Sequence, residues 1–415
     1  MKRLFVNLVI LLFGVSMVWA QSGPQPEVFR SVRNDKSPPL RELAKNILPP
    51  QTGSPRIIPI KPSPYAPEPR GPMGLDPALQ DKPGTLQASI PVANWEGISD
   101  QDNANIIGFA VAPPDANMDV GPDHVVQMVN LLYAVYNKEG DLLLGPLPGN
   151  ALWAGFGGPC QNDNSGDPVV LYDHLADRWF LSQFAVSTGL SMCYAISVTG
   201  DPTGSYYRYE FKHPDFPDYP KFGVWPDAYY ATFRVFGASF DMVAGALERD
   251  SMLVGAPAQM MLYSMTNRLF GIDGVIPADL DGPPPPAGTP GYFMGYQDSQ
   301  NRLFTFDLTV DWATPANSTF SGPNFISVNP FSSNMCNFNR SCIPQPGISD
   351  GLDAQSDKLM YRLAFRDFGS HMTMVSNHTV DVDGNDHAGV RWYELRDEGA
   401  GWTVYQQGHL RARLG

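Results

Sequence analysis

Five aspartates stand where short acidic turns open runs of Val, Tyr, Phe or Trp: Asp119, Asp167, Asp173, Asp218 and Asp227. Two carboxyl groups facing one pocket can hydrolyse a glycosidic bond, one protonating the leaving oxygen while the other acts as base or nucleophile. Asp167, Asp218 and Asp227 are the candidates for that chemistry. Aspartate before a proline or a strand is also an ordinary turn former that accepts backbone amide protons. Asp119 and Asp173, with Tyr172, Trp225 and Tyr229, form a candidate ligand-binding set, and Trp179 lies near them in sequence. Aromatic faces stack on sugar rings, although rings at alternating strand positions equally serve to pack sheets together.

Other motifs carry less. Gly347-Ile348-Ser349-Asp350-Gly351 fits G-x-S-x-G, but Cys342-Ile343-Pro344-Gln345-Pro346 precedes it where a nucleophile elbow needs a buried strand. Asp381-Val382-Asp383-Gly384-Asn385-Asp386 spaces oxygens as calcium loops do, yet lacks the closing glutamate, so a hairpin turn is the simpler reading. No HExxH, P-loop or dinucleotide-binding glycine pattern occurs. The expectation is no cofactor and no metal site; structural calcium at Asp381–Asp386 is the alternative, and zinc is disfavoured because no cysteine pair has C-x-x-C spacing. Asn317-Ser318-Thr319, Asn339-Arg340-Ser341 and Asn377-His378-Thr379 fit the N-glycosylation pattern.

The elements that must position these residues are strands. From about residue 92 the chain consists of short runs rich in β-branched and aromatic residues, punctuated by Gly, Pro, Asp and Asn. Runs at His124–Val129, Leu132–Tyr136, Trp179–Phe184, Ala228–Phe233, Gln259–Ser264 and Gly389–Glu394 are examples. One short helix is expected at Met242–Glu248. Acidic turn, strand and hairpin recur at roughly 50 residues, a period typical of propellers. The predicted fold is all-β, a six- or seven-bladed β-propeller at roughly 45–55 residues per blade, with a two-sheet sandwich as the alternative.

The N-terminus reads as a signal peptide over residues 1–20: Lys2 and Arg3, an apolar run from Leu4 to Val18, then Ala20 before Gln21. Residues 21–90 read as a disordered Pro-rich spacer or propeptide, with a short helix near Leu40–Ile47, and residues 91–415 as the propeller domain. The protein is therefore expected to be secreted, extracellular or periplasmic, without stable membrane insertion. Residues 91–415 carry a net charge of −19, which disfavours nucleic acid and anionic membranes as partners. Cys336 and Cys342 are close enough to staple one loop, leaving Cys160 for Cys193, among three connectivities that four cysteines allow.

Arg396-Asp397-Glu398-Gly399-Ala400-Gly401-Trp402 resembles the D-x-G-x-x-W part of the Asp-box turn of sialidase-like propellers, with Leu395 where that motif has Ser or Thr. The sialidase arginine cluster and nucleophilic tyrosine do not map onto this chain. More broadly, Tyr172-Asp173, Arg178-Trp179-Phe180, Gly200-Asp201-Pro202-Thr203-Gly204, Asp218-Tyr219-Pro220-Lys221 and Asp353 to Gln407 resemble functionally uncharacterised secreted bacterial proteins with a propeller-like domain. In those relatives, the resemblance implies, further strands follow the equivalent of Tyr405-Gln406-Gln407-Gly408, so an incomplete last blade is expected here. The expected function is a binding or scaffold protein for an extracellular glycan or protein. The rival is a glycoside hydrolase or lyase with carboxylates at the propeller axis.

Overall fold

The computed structural model describes residues 25–46, 56–57, 77–78, 80 and 91–411. The proposed signal peptide at 1–20 lies outside them. Two short strands come first, β1 (Glu27–Arg30) and β2 (Arg33–Lys36), then α1 (Leu40–Leu43) with a 3-10 turn at Ala44–Asn46. β3 (Arg56–Ile57) pairs in parallel with β4 (Val111–Ala112).

Four-stranded antiparallel meanders follow in chain order. The first holds β5 (Asn117–Val120), β6 (His124–Val129), β7 (Leu132–Asn137) and β8 (Leu142–Pro148). The second holds β9 (Gly166–Asp173), β10 (Arg178–Ala185), β11 (Ser191–Ser197) and β12 (Tyr206–Lys212). In the third are β13 (Phe216–Val224), β14 (Tyr229–Phe236), β15 (Phe240–Leu247) and β16 (Gln259–Ser264). The fourth has β17 (Ile276–Leu280), β18 (Gly291–Gln297), β19 (Arg302–Thr309) and β20 (Thr319–Ser327). The fifth has β21 (Met360–Asp367), β22 (Met372–Asp381), β23 (Ala388–Asp397) and β24 (Thr403–Arg411).

The first strands of successive meanders pack on one another, β5 on β9, β9 on β13, β13 on β17, and β17 on β21. Successive meanders joined through their inner strands make a β-propeller. The described residues form five four-stranded meanders rather than the six or seven blades expected, and the fourth and fifth join into one eight-stranded sheet through parallel pairing of β17 with β21. Each repeat is longer than a minimal blade because excursions intervene, such as 249–258 with its short helix and 328–359 with the Cys336–Cys342 loop. The last blade also differs from expectation: β24 pairs with β23 along its length, giving four strands. Both disulfides pair as the spacing suggests, Cys160 with Cys193 and Cys336 with Cys342, each with a Cα–Cα distance of 5.7 Å.

The core lies between blades. Phe180 meets Phe222 at 5.1 Å and Tyr229 at 4.8 Å across the second and third blades, and Trp225 meets Phe365 edge-on at 4.6 Å across the third and fifth. Each such ring contributes roughly 1.5–3 kcal/mol by leaving water. Packing is close enough at the inner strands that a Cβ on Gly223 would stand 2.1 Å from the Ala278 carbonyl oxygen.

Two segments depart from the sequence-based expectation. Met242–Glu248 is not a helix: residues Phe240–Leu247 form a strand hydrogen-bonded to β14 on one side and β16 on the other. Ala244, Gly245 and Ala246 favour no strand by themselves, but small residues are what fit there, since Gly245 faces Leu262 and Phe233. Within the stretch read as a disordered spacer, residues 25–46 are extended but packed. β1 adds to β16 and β2 to β12, so this strap forms a fifth strand on the outer edges of the third and second blades. Arg208, only 2% exposed, is gripped by Asp35 at 2.8 and 2.6 Å, and Leu40 is fully buried. The short helix near Leu40 does form.

Candidate functional site

The five inner strands begin at one end of the propeller axis, and an aspartate stands at or just before each start: Asp115, Asp167, Asp218, Asp273 and Asp357. Positive φ angles at Asp115 (39°), Asp167 (46°) and Tyr219 (52°) turn the chain there, conformations that cost non-glycine residues energy. Asn130 ties two of these turns together, donating through Nδ2 to Asp115 at 2.7 Å and accepting from the Asp167 amide at 2.9 Å.

Electrostatics divide the ring into unlike members. Burial pushes the Asp167 carboxyl well above the usual range, and the neighbouring Asp115 and Asp218 push it further, with Asp115 in hydrogen-bond reach. Burial lowers Lys221, whose Nζ lies 3.8 Å from the centroid of the Tyr219 ring. Lys358 lies over the same ring at 5.1 Å and pairs with Asp357 at 3.1 Å. Arg234, 1% exposed, grips Asp273 with two nitrogens at 2.8 and 2.9 Å and reaches Asp218 at 3.4 Å. The mouth thus holds a carboxyl raised by burial and by like charge beside a cation-paired one.

Farther along the axis, β5, β9, β17 and β21 line a half-open cavity of about 400 Å³. Asp119 lies on its wall, accepting from the Tyr172 amide at 2.7 Å and from its own neighbour Val120 at 2.7 Å. Burial raises the Asp119 carboxyl above its ordinary value despite those two bonds. Arg362 forks across Asp279 at 2.8 Å and Asp281 at 2.5 Å, and both carboxylates hold its guanidinium charged. The buried hydroxyl of Tyr361 has no protein partner. Tyr172 borders the cavity, packed on Trp179 at 5.0 Å and donating to Asp177 at 2.6 Å.

The structure therefore brings Asp167 and Asp218 together at the mouth, Asp119 with Tyr172 at the cavity, and Asp173 with Tyr229 in the packing between blades. Asp173 is fully buried between blades, accepting from Tyr229 Oη at 2.8 Å and from Arg249 at 2.7 and 3.1 Å. Trp225 and Tyr229 are 1% and 0% exposed, so they pack the core rather than present a face to a sugar. Asp227 sits on the β13–β14 hairpin, where its carboxylate accepts from Tyr230 at 3.2 Å and its carbonyl from Trp312 at 2.9 Å. Sequence reasoning did not single out Arg362, Asp279 or Tyr361. The acidic-turn repeat does reach Asp357, but an arginine inside a strand carries no distinguishing pattern.

Two of the remaining motifs resolve into turns. Asp381 accepts from the amides of Asp383, Gly384 and Asp386, closing the β22–β23 hairpin. Asp397 accepts from Gly399 at 2.7 Å and Gly401 at 2.9 Å, and Trp402 packs back on Tyr292 at 5.1 Å. Among the described residues no group of three or more His, Cys, Asp or Glu is placed to hold a metal ion, and no helix is long and apolar enough to cross a membrane.

No protein family matches the chain, and no curated protein is similar to it in sequence. Among solved structures, a GH43 β-1,3-galactosidase with galactodeoxynojirimycin superposes on 72% of this chain and 94% of its own, at 8% identity and a TM-score of 0.33. The WD40 domain of SCAP from fission yeast superposes on 70% of this chain and 72% of its own, at 10% identity and a TM-score of 0.27. The propeller assignment rests on the strand order itself.

Proposed function

We propose that this chain is an exported β-propeller that binds a carbohydrate in its axial cavity. The observation that carries this reading is the wall of the 400 Å³ space, where Asp119, Asp279 and Asp281 face Arg362 and the unpartnered Tyr361 hydroxyl. A polyol suits such a wall because each hydroxyl donates to a carboxylate while accepting from a guanidinium or phenol. The volume falls within the range of small-molecule sites. The two disulfides favour an oxidising compartment, in keeping with export.

A glycan array probed with the full chain tests this, using Asp119→Asn and Tyr361→Phe as comparisons. Loss of a specific hit in both variants, with unchanged thermal unfolding, supports the cavity. A hit that both variants retain, or no hit from folded protein, removes the carbohydrate reading and leaves a protein scaffold.

One observation favours hydrolysis as a second reading: at the mouth, burial and the neighbouring carboxyls push the Asp167 carboxyl up, while Asp218 lies 3.4 Å from Arg234. A raised carboxyl suits a general acid, and a carboxylate beside a guanidinium suits its partner. Reducing-end release from any bound glycan, abolished by Asp167→Asn, is the expected result. Absence of cleavage by the unaltered chain rejects it.

A further inference from the structure

Away from the axis, a second cleft of about 210 Å³ opens beside the start of β1, where the link from β12 to β13 meets the β14–β15 hairpin and the end of β16. His213, just after β12, lies on its wall and is 5% exposed. Neither ring nitrogen has a protein partner, although the ring packs edge-on against Phe233 at 4.9 Å. An orphaned imidazole in a protein interior is unusual enough to call for an explanation. Burial pushes its pKa down to about 3, so at neutral pH one nitrogen offers a lone pair and the other an N–H.

Three carboxylates share the cleft: Asp215, Asp241 on β15, and Glu27 on β1 of the strap. Among the described residues no lysine or arginine lines it, whereas the acidic mouth of the axis is supplied with Lys221, Arg234 and Lys358. Val243 and Leu262 supply an apolar floor, both more than nine-tenths buried. The needs of these groups converge on one kind of occupant. It must carry a positive charge, donate a proton to the neutral imidazole, and cover hydrocarbon with a short apolar stem. A metal ion does not fit, since no His/Asp/Glu group among the described residues has metal-binding geometry.

We propose that this cleft between the outer edges of the second and third blades binds an alkylammonium group, of the kind a lysine side chain carries. The ammonium donates to His213 and to Asp215 or Asp241, while its methylene stem lies over Val243 and Leu262. The site is independent of the axial cavity, because the residues lining the two are different.

Titration calorimetry on the full chain tests it, with Nα-acetyl-lysine methylamide and n-butylamine as probes and Nα-acetyl-norleucine methylamide and n-butanol as uncharged counterparts. Saturable binding of either amine, at least about tenfold tighter than its counterpart, supports the site. Preference for the lysine derivative identifies a peptide source, and equal binding identifies free amines. His213→Phe, which keeps the ring volume, and the double variant Asp215→Asn/Asp241→Asn should each weaken amine binding by about tenfold. Equal binding of charged and uncharged probes, or undiminished amine binding in both correctly folded variants, overturns the proposal.

Discussion

The strap makes Asp35→Ala the most informative single change. Arg208 sits on β12 with 2% of its side chain exposed, and its guanidinium has three kinds of partner. Asp35 takes Nε at 2.8 Å and Nη2 at 2.6 Å, the carbonyls of Leu152 and Ala154 take Nη1 at 3.0 and 2.9 Å, and the Phe156 ring lies 5.2 Å away. Removing one partner of a buried pair costs about 3–5 kcal/mol because the remaining charge stays desolvated. The Asp35 side chain is 38% exposed, so water can replace part of what the carboxylate supplied, and the expected loss falls to about 2–3 kcal/mol. Equilibrium urea unfolding of the full chain measures it. The double variant Asp35→Ala/Arg208→Met should recover most of the loss, since no charge is then left buried. By contrast Arg41–Asp201, in the same strap but 52% and 44% exposed, should contribute about 0–1 kcal/mol. If Asp35→Ala unfolds within 0.5 kcal/mol of the unaltered protein by this assay, roughly the noise of such data, the strap is not energetically part of the domain.

His213 and His378 give a pH signature, because burial lowers both from 6.5 to about 3. The unfolded chain binds more protons than the fold between those values, so stability falls as pH drops from about 6.5 towards 3; His213→Phe should flatten this limb by about 1.4 kcal/mol per pH unit. A limb unchanged in that variant refutes the assignment. Replacing Cys160 and Cys193, 33 residues apart, by serine should cost about 4 kcal/mol by chain entropy, against about 2 for Cys336 and Cys342, six apart; comparing urea midpoints checks the order. Gly223→Ala should destabilise by about 1–3 kcal/mol by forcing β13 away from the Ala278 carbonyl, and a neutral result in the same assay contradicts the inner-strand spacing described above.

Much of the sheet was legible from local pattern. His124–Val129 and Gln259–Ser264 coincide with β6 and β16, because each has hydrophobic residues between turn formers. β15 was not, since Met, Ala and Leu suit a helix in isolation and only neighbouring strands on both edges make them a strand. The strap was hidden for a different reason: Glu-Val-Phe-Arg and Arg-Asn-Asp-Lys dock mainly through backbone hydrogen bonds to sheet edges, which side-chain patterning does not record. The acidic repeat picked out Asp167 and Asp218, which stand at the mouth of the axis. The same repeat offered Asp173 and Asp227 equally, because a carboxylate pinning two blades and one facing a cavity look alike in sequence. Their roles depend on which residues lie opposite, Arg249 and Tyr229 for Asp173, and these come from a different blade.

The strap also imposes an order on how the chain can finish folding. Asp35 must wait for Arg208, 173 residues later, and Ser31 for Ala258, 227 residues later, so a segment synthesised early is completed only after two whole blades exist. Until then β12 and β16 present unpaired outer edges, the kind of surface on which foreign strands add. An early-made strand that docks late therefore acts as a built-in guard against misassembly, closing the two edges that the second and third blades would otherwise leave open to neighbouring chains.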